Sequence, residues 1–164
     1  MKKHLMLFGV GYLSLVGVLL MAGNLDAASA SPAPAQPSTE SITPPNQQLP
    51  EKIKRCSGAF SGRLRVFHIM APQDRGTDVT ITVKEIDATG TSAKVIYAWT
   101  NSTWEPYVGS EECPATISQE TESTNLNFTQ DGRNCVLSFK DNGEIVLWRY
   151  NPPYKLTADM KKLR

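Results

Sequence analysis

From Val79 to Tyr150 apolar side chains recur at every second position, and this alternation limits what the chain can fold into. Val79, Ile81 and Val83 alternate with Thr80, Thr82 and Lys84, the signature of a strand with one face in a core. Val95, Tyr97 and Trp99 share one face of a second run, with Ile96 and Ala98 on the other. Leu126 and Phe128 alternate with Asn127 and Thr129, and Leu137 and Phe139 with Val136 and Ser138. Ile145 to Tyr150 is apolar on both faces except at Arg149. Between the runs stand Asp87-Ala-Thr-Gly90, Asp131-Gly132 and Asp141-Asn142-Gly143, residues that tolerate the positive φ of hairpin turns. Helical potential is confined to Leu156–Leu163, and Pro152-Pro153 bars a helix just before it.

Seven or eight short strands joined by tight turns define an all-β domain, a barrel or a sandwich. Nearly every link from Phe60 onward is short enough for a hairpin, so sequential strands are expected to be antiparallel neighbours. An up-and-down antiparallel β-barrel of about eight strands closes such a meander and removes its exposed edges. A sandwich needs longer crossovers, for which only Thr100 to Glu112 is long enough. The barrel domain is expected over residues 53–164.

The N-terminal part reads differently. Lys2 and Lys3 precede an uncharged apolar run from Leu5 to Met21, and Ala28-Ser29-Ala30 offers the small residues of a signal-peptidase site. Residues 1–30 are therefore expected to be a signal peptide, with export to the periplasm or medium and no membrane insertion after cleavage. The alternative is an anchor retained through residues 5–21, close to the lower limit for spanning about 30 Å of hydrocarbon. Residues 31–52 carry Pro32, Pro34, Pro37, Pro44, Pro45 and Pro50 and almost no large apolar side chain, the composition of a disordered, extended linker. Without residues 1–30 the chain has 15 basic and 15 acidic residues. A neutral chain lacks the basic footprint of a nucleic-acid binder.

Export places Cys56, Cys113 and Cys135 where disulfides are the default. In an up-and-down meander Cys113 and Cys135 both belong near the upper rim, where β-strands four and six begin, and Cys56 at the lower. The pairing Cys113–Cys135 is thus favoured and Cys56 is left as an unpaired thiol. The fifth strand stands between them as an obstacle, because bridged Cα atoms lie within about 7 Å. Metal binding is not expected: the cysteines lie too far apart in sequence for the close pairs that nucleate zinc sites, and His68 sits in a strand-like run. No cofactor motif is present.

Further residues carry a resemblance. Ser57-Gly-Ala-Phe-Ser-Gly62 is followed by Asp78-Val-Thr-Ile-Thr-Val-Lys-Glu-Ile86, by Ala93-Lys-Val-Ile-Tyr-Ala-Trp99 with Trp104, by Leu137-Ser-Phe-Lys-Asp-Asn-Gly-Glu-Ile145, and by the tail Lys162-Leu-Arg164. From Gly58 to Arg164 this order resembles the small bacterial extracytoplasmic, lipocalin-like (calycin-type) β-barrel domains, some found alongside secreted hydrolases. Phe60 departs from the pattern, since the opening aromatic is often Trp. The resemblance implies the barrel and an extracytoplasmic setting, and no particular activity.

Function is sought in the aromatic side chains. Tyr97, Trp99 and Trp148 lie in strands and are expected in the barrel core. Trp104, Tyr107 and Tyr154 lie in polar or proline-flanked stretches, where rigid amphipathic rings suit stacking on a sugar or anchoring a partner. With Tyr97 and Trp99 they are expected to form one ligand site at the upper rim. The expectation is a non-enzymatic module binding carbohydrate or a modest apolar molecule; the competing one is a protein-interaction module docking on an extracytoplasmic partner such as a secreted hydrolase. A third, acid–base hydrolysis, would need Glu111, Glu112, Glu120 and Glu122 to converge, and no Gly-x-Ser-x-Gly nucleophile motif is present.

Overall fold

The computed structural model describes residues 42–67, 76–100 and 108–163. A single helical turn, α1 (Glu51–Lys54), precedes the strands β1 (Gly58–Val66), β2 (Thr77–Ile86), β3 (Ser92–Thr100), β4 (Gly109–Gln119), β5 (Ser123–Gln130), β6 (Arg133–Lys140), β7 (Ile145–Asn151) and β8 (Tyr154–Asp159), with a short β9 (Lys161–Lys162) at the end. Each strand from β1 to β7 pairs antiparallel with its successor, and β8 returns to β1, so eight strands close into the expected barrel. The end where β1 finishes and β2 begins is called the upper end.

Closure is divided along β1. Its upper half pairs with β8 through Arg65↔Thr157 and Val66↔Leu156, and the Phe67 amide donates to the Lys155 carbonyl at 2.8 Å. Its lower half pairs with β9 through Phe60↔Lys162 and Ser61↔Lys161. Gly62 lies at the changeover, where a Cβ would come within 2.6 Å of both the Asp159 carbonyl oxygen and Met160 Sδ. A backbone neighbour cannot swing aside, so only glycine lets the chain cross here.

Turn chemistry follows the residues. Asp131 (φ 48°) and Gly132 (φ 70°) supply the two left-handed positions of the β5–β6 hairpin, and Gly143 (φ 90°) that of β6–β7. In the β2–β3 turn Asp87 Oδ1 accepts from the amides of Thr91 (2.8 Å) and Ser92 (3.0 Å). Those donors, with the Thr89 hydroxyl, hold the Asp87 carboxyl well below the usual carboxylate range.

The interior is filled. Phe60, Leu64, Ile81, Val83, Val95, Leu126, Leu137 and Leu147 point inward and are fully buried, as expected for a barrel just wide enough for its own side chains. Below them the lower end is closed by α1. Leu49, Ile53 and Cys56 join the core, and Gly90 approaches so closely that a Cβ would come within 2.9 Å of Ile53 Cδ1. Lys52 and Arg55 both bind the Asp141 carboxylate in the β6–β7 turn, at 2.7 and 3.1 Å, and Arg55 also donates to the Phe139 carbonyl at 2.7 Å.

Several expectations need correction. The last part of the expected linker, through residue 52, belongs to the fold: the Thr43 amide donates to the Lys84 carbonyl at 2.7 Å, Leu49 is buried, and α1 begins at Glu51. Two apolar side chains anchored at the barrel's open end are enough to order a polar stretch. Residues 1–41 lie outside the described residues. Leu156–Leu163 is β8 and β9 rather than helix, because Leu156, Ala158 and Met160 are buried at alternate positions, a period of two. Trp148 is not in the core. The pleat of β7 turns Leu147 and Arg149 inward and leaves Trp148 half-buried on the outer face. Cys113 and Cys135 are free, buried thiols, as is Cys56. The ladder runs Ala115↔Phe128↔Cys135, so β5 stands between the two cysteine-bearing strands and two strand spacings of about 4.8 Å separate them. Among the described residues no helix is long and apolar enough to cross a membrane.

Two outcomes follow from this architecture. Gly62→Val should cost about 1–3 kcal/mol through overpacking at the β8–β9 changeover, read as a lowered urea midpoint; an unchanged midpoint would contradict the closure described. Lys52 first and then Arg55 hold the Asp141 carboxyl below its ordinary value. Its contribution is therefore present above the unfolded pKa and lost as pH falls through the folded one. The urea midpoint of Asp141→Asn should lie below that of the parent near neutrality and converge with it on acidification.

Candidate functional site

The upper third of the barrel interior departs from the aliphatic filling below it. The phase that buries Val95 carries Tyr97 and Trp99 inward at the top of β3. Trp99 pairs in register with Gly109, and its indole occupies the space a Cβ on Gly109 would need, so that glycine is the seat of the ring. Tyr97 is 1% exposed, with its ring centroid 6.0 Å from that of Trp99 and 6.3 Å from that of Phe128. From β7, buried Arg149 sets its guanidinium carbon 5.8 Å from the Tyr97 centroid, a cation–π arrangement inside the barrel.

Polar groups from the neighbouring strands complete the layer. Glu111, paired in register with Tyr97, accepts at Oε2 from Gln130 Nε2 (3.3 Å) and from the Asp131 amide (3.1 Å). Arg133 reaches Asp131 at 2.7 Å, and its Nε donates to Asn151 Oδ1 at 3.2 Å. Gln130 is 3% exposed, and its Oε1 has no hydrogen-bond partner; neither has the buried Nε1 of Trp99. The upper interior thus joins two aromatic rings, a buried amide, a carboxylate and a buried guanidinium in one layer.

Cys113 and Cys135 line the layer just beneath. Burial pushes the Cys113 thiol up to about 11, reinforced by Glu111 and Glu112. It pushes Cys135 up to about 12, against the opposing influence of Arg149. Cys56, at the other end, is raised to about 12 by burial despite Arg55 and Lys162. A thiol so far above neutrality presents almost no nucleophilic thiolate.

Of the residues proposed from sequence, Tyr97 and Trp99 are brought together. Tyr154, at the top of β8, is 59% exposed and makes no ring contact with them. Trp104, Tyr107 and His68 lie outside the described residues. The four acidic residues do not converge. Glu111 faces the upper interior, Glu112 pairs with Lys84 at 3.1 Å, Glu120 accepts from Asn125 at 2.8 Å near the β4–β5 turn, and Glu122 is exposed in that turn. Gln130, Arg149 and Gly109 were missed. The signal was there for one of them: Gln130 is in phase with Leu126 and Phe128, a polar residue at an inward position, whereas β7 is apolar on both faces and leaves the side of Arg149 open.

A second aromatic group lies on the outer wall. Phe67, 64% exposed, meets Trp148 edge-on at 5.7 Å, and Lys155 Nζ stands 3.8 Å from the Trp148 centroid and 5.4 Å from that of Tyr150. No family model, no curated protein and no solved structure matches the chain.

Because all three thiols are buried and weakly acidic, the folded protein should resist iodoacetamide at neutral pH and take up three equivalents only when unfolded. Rapid native labelling, or fewer than three sites on unfolding without reductant, would contradict the cysteine states described.

Proposed function

We propose that the protein is an exported, non-enzymatic binding module, lipocalin-like in build, whose ligand (a carbohydrate or a modest apolar molecule) seats at the upper mouth of the barrel. One observation carries the reading: at the upper end the inward positions of β3, β4, β5 and β7 carry Tyr97, Trp99, Glu111, Gln130 and Arg149 in one layer. A core selected for stability alone gains nothing from a buried arginine and a buried glutamine, each of which costs free energy unless compensated. Export is supported by Leu5–Met21 and Ala28-Ser29-Ala30. The scattering of Glu111, Glu112, Glu120 and Glu122 favours binding over acid–base hydrolysis.

Trp104 and Tyr107 belong to this reading by their place in sequence between β3 and β4, and Tyr154 as a rim residue. Tryptophan fluorescence titrated with oligosaccharides, peptidoglycan fragments and lipids tests it. A saturable response is expected with one class, weakened about tenfold (roughly 1.4 kcal/mol) by Gly109→Val, which displaces the Trp99 ring. No response to any class would end the reading.

The outer wall favours a second reading, a protein-interaction module. Phe67, Trp148 and Tyr150 form an exposed aromatic group of the kind that anchors partners. Cross-linking in the native compartment should then capture one protein, lost with Phe67→Ser and retained with Gly109→Val.

A further inference from the structure

Two buried atoms of the mouth, Gln130 Oε1 and Trp99 Nε1, discriminate between the ligand classes. Gln130 donates through Nε2 to Glu111, which turns its Oε1 away as a free acceptor. Trp99 Nε1 is a donor only. Both atoms are buried without a partner, so the protein has already borne the cost of taking them from water. A ligand hydroxyl that meets either one gains a hydrogen bond without further desolvation on the protein side. An alkyl chain in the same place gains nothing from them and leaves both unpaired.

Charge narrows the class again. Among the described residues of the layer, the carboxylates of Glu111 and Asp131 are matched by the guanidinium groups of Arg133 and Arg149. The formal sum is zero, which offers no net attraction to a phosphate or a fatty carboxylate. The indole of Trp99 is half-buried, presenting an apolar face beside its orphaned donor.

Resting on the reading of the mouth as the ligand seat, we infer that the ligand is an uncharged saccharide. One of its hydroxyls donates to Gln130 Oε1, another accepts from Trp99 Nε1, and its C–H face stacks on the indole. A sugar hydroxyl both donates and accepts, so one ring meets both demands at once. Gln130 thereby becomes a specificity-determining residue: replacing it by leucine keeps the volume and removes the acceptor.

The test titrates the full mature chain by calorimetry with cellotetraose, chitotetraose and maltotetraose as neutral sugars, and with decanol and palmitate as apolar and anionic probes. At least one sugar is expected to bind and both apolar probes to fail. Gln130→Leu should weaken the sugar at least tenfold while shifting the urea midpoint little, because it deletes an unpaired buried acceptor together with the Nε2 bond to Glu111. Trp99→Phe should weaken the sugar similarly, retaining a ring but no donor. Decanol or palmitate binding without any sugar would overturn the saccharide while sparing the mouth as a ligand seat. Sugar binding unaffected by Gln130→Leu would overturn the role of Gln130, and silence from all five probes would overturn the saccharide outright.

Discussion

Closure of the sheet through β1 is the constraint on which the rest of the structure depends. A meander of eight strands buries one face only if its first and last strands meet. Here they meet twice, β8 along the upper half of β1 and β9 along the lower. The changeover passes over Gly62, with the Asp159 carbonyl oxygen where a Cβ would need to be. Once the cylinder is closed, every inward position is fixed as interior and every outward one as surface. The aliphatic filling, the polar mouth and the aromatic outer wall are consequences.

The two ends of the cylinder are then finished differently. At the lower end a single helical turn plugs the opening with Leu49 and Ile53 and is tied down by the Asp141 carboxylate. The plug adds apolar surface to the core, and Arg55 donates to the Phe139 carbonyl and the Asp141 carboxylate. At the upper end the inward positions carry Tyr97, Trp99, Glu111, Gln130 and Arg149. The proposed binding reading rests on that layer. Burying a guanidinium and an amide inside a barrel costs free energy that aliphatic side chains would not.

Free cysteines fit the same geometry. Cys113 and Cys135 face the same interior but hang from strands on either side of β5, and Cys56 lies at the opposite end beside α1. All three thiols are buried and free. Rim position alone misled, because it measures height along the barrel and ignores the distance around it.

Strand phase, turn positions and fold class were legible in the residues themselves. They depend on period-two alternation and on the φ values that Asp131, Gly132 and Gly143 accept, both local properties. Even the mouth was partly legible, since Tyr97 and Trp99 share the phase of Val95. Local patterning could not say which face of a nearly all-apolar strand looks inward, so Trp148 and Arg149 exchanged places. It could not say that Leu156, Ala158 and Met160 would find a sheet edge, because a period of two over three small steps competes with a helix until a partner strand is present. Nor could it bring Gln130 to Glu111, or Leu49 into the core. Those depend on contacts between residues distant in the chain, and only the closed tertiary structure supplies the distances that decide them.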